Sequence, residues 1–389
     1  MLRVLTLSSL FPDATRPNFG IFVERQTQGL ARHRDVVLQV VAPVGLPPWP
    51  LTRHPHYRDL AALPEREDWR GLDVRRPRFV ALPGTQGRFH ARALTRALVP
   101  LLTDIRRDFA FDVIDASFFY PDGVAAVALG AHFGVPVSVK ARGADIHFWG
   151  MQPATARQVV RAGQRADGVL AVSDAMRADM AALGIPAERI RVHRTGVDQA
   201  RFMPGDRAAA KAALGFAGPL VVTTGALIER KGHDIVIRAV ADLPGVNLLI
   251  AGAGPARPAL EALIVALGVG DRIRLLGSVA HDALPALLGA ADVFALASTS
   301  EGLANAWVEA LASGVPVVIT NAGGAHELVT GPAAGQVVAR DHAAFTAAIG
   351  ELLASPPAPT AVRAFAESYT WEANTAALFD HLSGLVAAR

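Results

Sequence analysis

The sequence predicts an α/β protein built from two doubly wound parallel sheets. Three observations predict this fold: a length of 389 residues, the alternation of short apolar runs with helical patterns, and one break in that alternation. A chain of this length exceeds one ordinary hydrophobic core, so two domains are expected. The apolar runs are continuously hydrophobic, as in parallel strands buried on both faces, and long strand–helix alternation is typical of doubly wound sheets.

The predicted strands fall into two series. They cover residues 3–8, 36–42, 113–116, 135–139, 168–172 and 189–193, and then 220–224, 246–251, 272–276, 292–297 and 315–320. Turn residues cluster between Gly196 and Asp206, which places the interdomain linker at about 198–215. The predicted domains are therefore 1–198 and 199–370, followed by a final helix over 371–389.

The composition indicates a folded protein with large cores. Hydrophobic residues make up 51% of the chain and charged residues 19%, which argues against disorder. The absence of cysteine excludes a disulfide framework and a Cys-ligated metal, and it suits a reducing cytoplasm. The N-terminus is predicted as a first strand instead of a signal peptide. No apolar run reaches the ~18 residues of a membrane helix.

Charge is distributed unevenly along the chain. Residues 1–200 hold 26 Lys and Arg against 19 Asp and Glu, whereas the remainder holds 12 against 16. A helix predicted from Arg88 to Arg107 carries Arg88, Arg92 and Arg96 at i, i+4 spacing. Such a basic amphipathic helix can lie on an anionic membrane surface, and a solvated helix face is the alternative. Residues 43–87, rich in proline, are predicted as a long loop that either shapes a binding cleft or is mobile decoration.

A basic turn follows the predicted strand over 220–224. Gly225 ends that strand, and Arg230 and Lys231 follow shortly before Gly232. Ligands of open α/β sheets bind at the carboxyl ends of the strands, and both cations suit phosphate. The pattern predicts a clamp for a diphosphate, with an exposed basic turn as the alternative.

Two further segments of the second half are also predicted at the carboxyl ends of parallel strands. Gly252 and Gly254 begin a dinucleotide-like fingerprint whose third glycine position holds Arg257, so they predict only a close-approach loop near a nucleotide. Glu301 follows a strand and Glu309 lies within the next helix, in an otherwise apolar stretch. They either hold hydroxyl-rich parts of one ligand or are a helix-start acid and a solvated glutamate.

The first half contributes two loops of its own. Gly20 lies just after the first strand, where another phosphate-facing loop is expected. Arg142, Asp145 and His147 follow the strand predicted over 135–139. Asp145 and His147 could serve as acid, base or sugar ligand, and His147 could equally be a packing histidine.

Taken together, these motifs resemble the family-four retaining glycosyltransferases of the GT-B fold. The resemblance covers most of the chain and is strongest over 167–330. The matching stretches begin at Ala171, Gly196, Gly225, Ala251 and Glu301. It implies two Rossmann-like domains facing across a cleft, with an acceptor-binding N-terminal domain, a donor-binding C-terminal domain and a last helix returning onto the first domain.

The resemblance also implies roles for individual residues. Arg230 and Lys231 would bind the donor diphosphate and stabilise its charge as it leaves, and Glu309 would bind the ribose hydroxyls. Glu301 would contact the donor sugar, with Gly302 and the amides of Leu303, Ala304 and Asn305 nearby at a helix start. Gly20 would let the backbone approach the diphosphate. No metal or other cofactor is expected, and no nucleic acid partner.

One position departs from many relatives, which carry a histidine where this chain has Arg142. Arg142 and Asp145 are predicted to act there instead. The resemblance implies transfer of a sugar from a UDP- or GDP-linked donor to a glycan or lipid-linked acceptor in cell-surface polysaccharide or glycolipid synthesis, on the cytoplasmic side. A sugar-nucleotide epimerase of the same architecture, a two-domain sugar-binding protein and a nicotinamide dehydrogenase are the alternatives.

Overall fold

A computed structural model describes residues 1–389 and divides the chain into two compact units. The first unit contains Met1–Gly196 and Trp371–Arg389, and the second contains Val197–Thr370. Each unit holds one large, mainly parallel sheet with helices packed on it.

The first unit holds ten strands and seven helices. The strands are β1 (Leu2–Leu7), β2 (Val36–Val41), β3 (Val44–Leu46), β4 (Arg66–Trp69), β5 (Leu72–Arg75), β6 (Arg78–Val80), β7 (Val113–Ala116), β8 (Val137–Ala141), β9 (Gly168–Ala171) and β10 (Ile190–Val192). The helices are α1 (Ile21–Ala31), α2 (Pro55–Ala61), α3 (His90–Asp108), α4 (Val124–Phe133), α5 (Ala156–Arg165), α6 (Asp174–Ala182) and the final α15 (Trp371–Ala387). The eight-stranded sheet has the order β10-β9-β8-β7-β1-β2-β5-β4, and β3 pairs separately with β6.

The second unit holds six strands and eight helices. The strands are β11 (Leu220–Thr224), β12 (Asn247–Ala251), β13 (Ile273–Gly277), β14 (Val293–Leu296), β15 (Val317–Thr320) and β16 (Gly335–Val338). The helices are α7 (Arg207–Ala213), α8 (His233–Ala241), α9 (Arg257–Ala266), α10 (Leu284–Gly289), α11 (Asn305–Ala312), α12 (Ala325–Leu328), α13 (His342–Ala354) and α14 (Pro359–Arg363). All its strands are parallel, in the order β13-β12-β11-β14-β15-β16. The predicted doubly wound α/β fold is confirmed.

Two predictions about irregular regions are wrong. Residues 43–87, predicted as a loop, contain β3 to β6 and α2, including an antiparallel β4–β5 hairpin. The hairpin turn is Arg70-Gly71, and both residues have positive φ values of 53° and 84°, as a two-residue type I′ turn requires. The linker predicted over 198–215 contains α7, which belongs to the second unit, and the chain leaves the first unit already at Gly196.

Strand bounds differ from the predicted ones by one or two residues in most places. The largest shift is in β8, which runs over Val137–Ala141 instead of 135–139 because Pro136 precedes it and cannot donate to the sheet. β16 was not predicted, since its four residues form a short edge strand. No helix of the chain combines the length and apolar character needed to cross a membrane.

The final helix α15 packs into the first unit through both apolar and polar contacts. Leu378 and Leu382 are fully buried and join a core cluster that includes Leu2 and Val4 of β1. His381 lies 3.1 Å from the hydroxyl of Ser138 through its Nε2. Burial, helped by the nearby positive Arg191 and Lys140, lowers the pKa of His381 from 6.5 to about 4.

Because the pKa of His381 is lowered by folding, part of the free energy of unfolding depends on pH. The unfolded chain takes up the proton near pH 6.5 and the folded chain only near pH 4, so the contribution of His381 is lost as pH falls through that window. We expect His381→Leu to be destabilising at about pH 7.5, and the difference to shrink by about 2 kcal/mol at about pH 5. Urea unfolding of wild type and His381→Leu at the two pH values measures this difference in the free energy of unfolding. A difference that stays constant would contradict the prediction, and the exposed His132→Leu is the control.

Candidate functional site

Strand order reverses at the first strand of each large sheet. In the second sheet, β12 and β13 lie on one side of β11, and β14 lies on its other side. In the first sheet, β1 lies between β2 and β7. Loops leaving the carboxyl ends of strands at such a switch point diverge, and open α/β sheets bind ligands in the crevice they leave. Most of the predicted site residues follow the carboxyl ends of strands in these two sheets, and Glu309 lies in α11.

Lys231 and Arg230 converge on Glu301 at the switch point of the second sheet. The two cations follow β11 and the carboxylate follows β14, and these two strands are hydrogen-bonded neighbours. Lys231 Nζ donates to Glu301 Oε1, and Arg230 Nη1 lies 3.7 Å from the same oxygen. Arg230 Nη1 also donates to the carbonyl oxygen of Ser300. Two cations thus share one carboxylate, which leaves positive charge for an anionic ligand.

The loop carrying the two cations is tied to the loop carrying Glu301. The N–H of Thr299 donates to the carbonyl oxygen of Arg230 over 2.9 Å. Lys231 and Glu301 are 14% and 10% exposed, whereas Arg230 is 38% exposed. The pair Lys231–Glu301 is therefore fixed and largely shielded, and Arg230 is the more accessible cation.

Glu309 faces a different partner from Glu301. It lies in α11, is 3% exposed, and its Oε1 lies 2.7 Å from Nε2 of His281. His281 follows β13, and sequence reasoning missed it although a histidine after a strand end is a recognisable signal. The two glutamates have separate partners, so they do not form an acid–base dyad in this structure.

The start of α11 presents backbone N–H groups beside Glu301. Ala304 precedes the helix, and no side chain caps it. Gly302 supports this segment, since its carbonyl oxygen accepts from Gly324 over 2.9 Å. Leu303 and Ala304 are buried and Asn305 is half-buried. An uncapped helix start favours an anion or a hydroxyl oxygen.

Gly252 and Gly254 are explained by contact between loops. A Cβ at Gly252 would lie 1.8 Å from the carbonyl oxygen of Gly225, and one at Gly254 would lie 2.4 Å from that of Leu227. The loops after β11 and β12 can pack against each other only because these positions lack side chains. Their backbone approach is to protein, and an additional approach to a nucleotide stays a prediction.

Gly20 has a comparable role in the first unit. It precedes α1 with a φ of 73°, and a Cβ there would lie 2.4 Å from the carbonyl oxygen of Leu10. Only glycine combines that conformation with that contact. It lies after β1, as predicted from the sequence.

Arg142 and Asp145 follow β8, and the structure gives them different environments. Asp145 is fully buried, and its two oxygens accept from the backbone N–H groups of Phe119, Arg142 and Gly143 over 2.8–3.1 Å. Burial raises the pKa of Asp145. Arg142 is half-buried, and His147 pairs with Asp179 over 2.8 Å. Asp145 therefore organises the loop that carries Arg142.

Comparison with known proteins agrees with this geometry. The family model described as Glycosyltransferase Family 4 matches residues 21–201, and the one described as Glycosyl transferases group 1 matches 206–369. A GDP-mannose-dependent alpha-(1-6)-phosphatidylinositol monomannoside mannosyltransferase of Mycolicibacterium smegmatis is 34% identical over 261 residues, which are 62% of this chain and 68% of the relative. A D-inositol 3-phosphate glycosyltransferase of Mycolicibacterium gilvum is 38% identical over 177 residues, 43% of this chain and 40% of the relative.

Among solved structures, sucrose-phosphate synthase from Thermosynechococcus elongatus superposes with a TM-score of 0.82 at 19% identity, covering 100% of both chains. Two doubly wound sheets with this superposition define the GT-B fold, and the matching family models and the mannosyltransferase relative make the chain a nucleotide-sugar glycosyltransferase. The chain belongs to glycosyltransferase family 4. Family membership decides for the transferase over the epimerase, sugar-binding and dehydrogenase alternatives.

Proposed function

We propose that this enzyme transfers a sugar with retention and without a metal from a UDP- or GDP-linked donor. The observation that supports the proposal most is the cluster of Arg230 and Lys231 on Glu301 at the switch point of the second sheet. As the glycosidic bond breaks, positive character develops on the sugar and negative charge on the departing diphosphate. Fixed protein cations stabilise that negative charge, so a divalent cation is not required for this step.

Each remaining residue takes a role that its contacts allow. Glu301 holds Lys231 in place and contacts the donor sugar, while the N–H groups at the start of α11 meet donor oxygens. Glu309 accepts from the ribose hydroxyls through Oε2, because Oε1 is engaged by His281. Arg142 contributes to catalysis, and Asp145 positions it.

The acceptor is a glycan or a lipid-linked molecule in cell-surface polysaccharide or glycolipid synthesis, and the enzyme acts on the cytoplasmic side. Two relatives support this, since one is a phosphatidylinositol monomannoside mannosyltransferase and the other is a D-inositol 3-phosphate glycosyltransferase. The former relative uses GDP-mannose, which makes GDP-mannose the first donor to test.

A thermal-shift panel of GDP-mannose, UDP-glucose and ADP-glucose tests the proposed donor class, because a ligand that binds only the folded protein raises its melting temperature. Release of nucleoside diphosphate is then measured with and without EDTA, and the anomeric configuration of the product is read by NMR. We expect stabilisation by a UDP or GDP sugar, EDTA-resistant turnover and retained configuration. No response to any donor would overturn the proposal, and full inhibition by EDTA or an inverted product would overturn its metal-free or retaining part.

We also propose that the basic start of α3, with Arg88 in the turn just before the helix, meets an anionic membrane surface. Arg88, Arg92 and Arg96 are exposed, while Leu94 and Leu98 are fully buried. Phe89 beside Arg88 is 47% exposed, and Leu82 of the preceding loop is 38% exposed. A row of cations next to exposed apolar side chains suits the interface of an anionic bilayer.

Replacing Arg88, Arg92 and Arg96 together by glutamine is expected to weaken binding to phosphatidylserine-containing vesicles by about 100-fold at low salt, from ~1 kcal/mol per arginine. Vesicle co-sedimentation measures the effect. The matched control replaces Arg157, Arg161 and Arg165, an exposed set with the same i, i+4 spacing on α5. Equal loss in both variants would mean that only net charge matters, and this would contradict a specific role of α3.

A further inference from the structure

Gln26 links the catalytic arginine of the proposed function to a buried lysine. It lies in α1, is 2% exposed, and its side-chain oxygen accepts from Nη2 of Arg142 over 3.1 Å and from Nζ of Lys140 over 3.0 Å. Its side-chain nitrogen donates to the hydroxyl of Ser117 over 3.3 Å. All polar atoms of the amide group are thus engaged at the carboxyl edge of β7 and β8.

These contacts fix two of the three guanidinium nitrogens of Arg142. Nε donates to the carbonyl oxygen of Ser117 over 2.7 Å, and Nη2 donates to Gln26. Nη1 makes no hydrogen bond, and Arg142 forms no ion pair with a carboxylate. A planar guanidinium held along one side presents its free nitrogen in a defined direction.

Lys140 holds the side-chain oxygen of Gln26 in place. It is 1% exposed and donates to Nδ1 of His193 over 2.7 Å, and Nε2 of His193 lies 2.8 Å from the carbonyl oxygen of Asn374 in α15. Lys140 therefore ties the oxygen of Gln26 to a fully buried chain of contacts. Burial, with Arg142 nearby, lowers the pKa of Lys140.

The residue type at position 26 also matters. A carboxylate there would form an ion pair with Arg142 and reduce its attraction for a negative ligand oxygen. The neutral amide oxygen accepts two hydrogen bonds without cancelling the positive charge. Glutamine thus fixes the direction of the guanidinium and keeps its charge available.

We propose that Gln26, supported by Lys140, is a positioning residue that directs Nη1 of Arg142 toward an oxygen of the reacting substrate. The inference rests on the proposed function, since it assumes that Arg142 takes part in sugar transfer. Misplacement of a reacting group by about 1 Å can cost up to 10²-fold in rate, so loss of the Gln26 contact should lower kcat.

The test compares Gln26→Met, Arg142→Met and the double variant, using release of nucleoside diphosphate from whichever of GDP-mannose, UDP-glucose and ADP-glucose the wild-type enzyme hydrolyses fastest. We expect Gln26→Met to lower kcat by roughly 10–100-fold with little change in KM. In the Arg142→Met background it should have no further effect, because Gln26 acts through Arg142. Gln26→Glu keeps an acceptor oxygen in reach but pairs its charge with Arg142, so its kcat should lie between those of wild type and Gln26→Met.

The control is Gln28→Met in the same helix, which loses the hydrogen bond from Nε2 to the carbonyl oxygen of Arg70 over 2.9 Å and the one that Oε1 accepts from Arg32 over 3.4 Å. It should leave kcat unchanged, and it should lower the melting temperature less than Gln26→Met does, because Gln28 is more exposed than Gln26. The inference would be overturned if the rate losses of the two single variants multiplied in the double variant, or if Gln26→Met had the kcat of wild type. Either result would leave the catalytic role of Arg142 untouched. Wild-type activity of Arg142→Met would overturn both the inference and the catalytic role proposed for Arg142.

Discussion

Replacement of Lys231 by methionine is expected to lower the rate of sugar transfer by roughly 10²–10³-fold, the loss typical when one preorganised donor to a developing negative charge is removed. Lys231 is the shielded member of the basic cluster, and its ammonium group is fixed on Glu301. Methionine keeps most of the side-chain length and removes the charge. The effect should fall on kcat, because negative charge on the diphosphate grows as the bond breaks.

Arg238→Met is the matched control for this experiment. Arg238 is an exposed cation of α8, the helix that follows the Lys231 loop, so the substitution changes net charge equally within the same unit. It should leave kcat within about twofold of wild type, as a surface substitution away from the site. Equal activity of Lys231→Met and wild type, in a protein of unchanged melting temperature, would remove Lys231 from the mechanism.

The sequence predicted the fold class because its strongest signal is local. The runs at β7 and β11 are rich in apolar and β-branched residues, and the observed strands have the predicted bounds. The hairpin of β4 and β5 escaped prediction because β4 reads Arg-Glu-Asp-Trp and lacks an apolar run. Its turn, Arg70-Gly71, carries only one of the residues that favour positive φ, so that signal was weak as well.

Partner choice at the site could not be predicted from spacing. Glu301 and Glu309 lie eight positions apart, yet one pairs with Lys231 and the other with His281. Those pairings depend on which parallel strands are neighbours, and strand order is a long-range property of the sheet. The same limit applies to Gln26, whose contacts with Lys140 and Arg142 span more than a hundred residues.

Glu309→Ala is expected to lower kcat/KM for the donor by roughly 10–100-fold, since a hydrogen bond to a charged group contributes about 1.5–3 kcal/mol. Glu309 is 3% exposed, so its carboxylate is fixed in place, with Oε1 engaged by His281 and Oε2 left for a ribose hydroxyl. A contact of this kind is present before and during bond breaking. The loss should therefore appear mainly in KM, in contrast to the loss expected for Lys231→Met.

A donor lacking one ribose hydroxyl separates this role from a structural one. Wild-type enzyme should discriminate against the 2′-deoxy or the 3′-deoxy nucleotide sugar, and Glu309→Ala should lose that discrimination because the partner of the hydroxyl is gone. Glu351→Ala, which removes an exposed glutamate paired with Gln336, should behave as wild type toward the unmodified, the 2′-deoxy and the 3′-deoxy donor. If Glu309→Ala still discriminated as strongly as wild type, Glu309 would serve only to hold His281 and the loop after β13, and the ribose would be bound elsewhere.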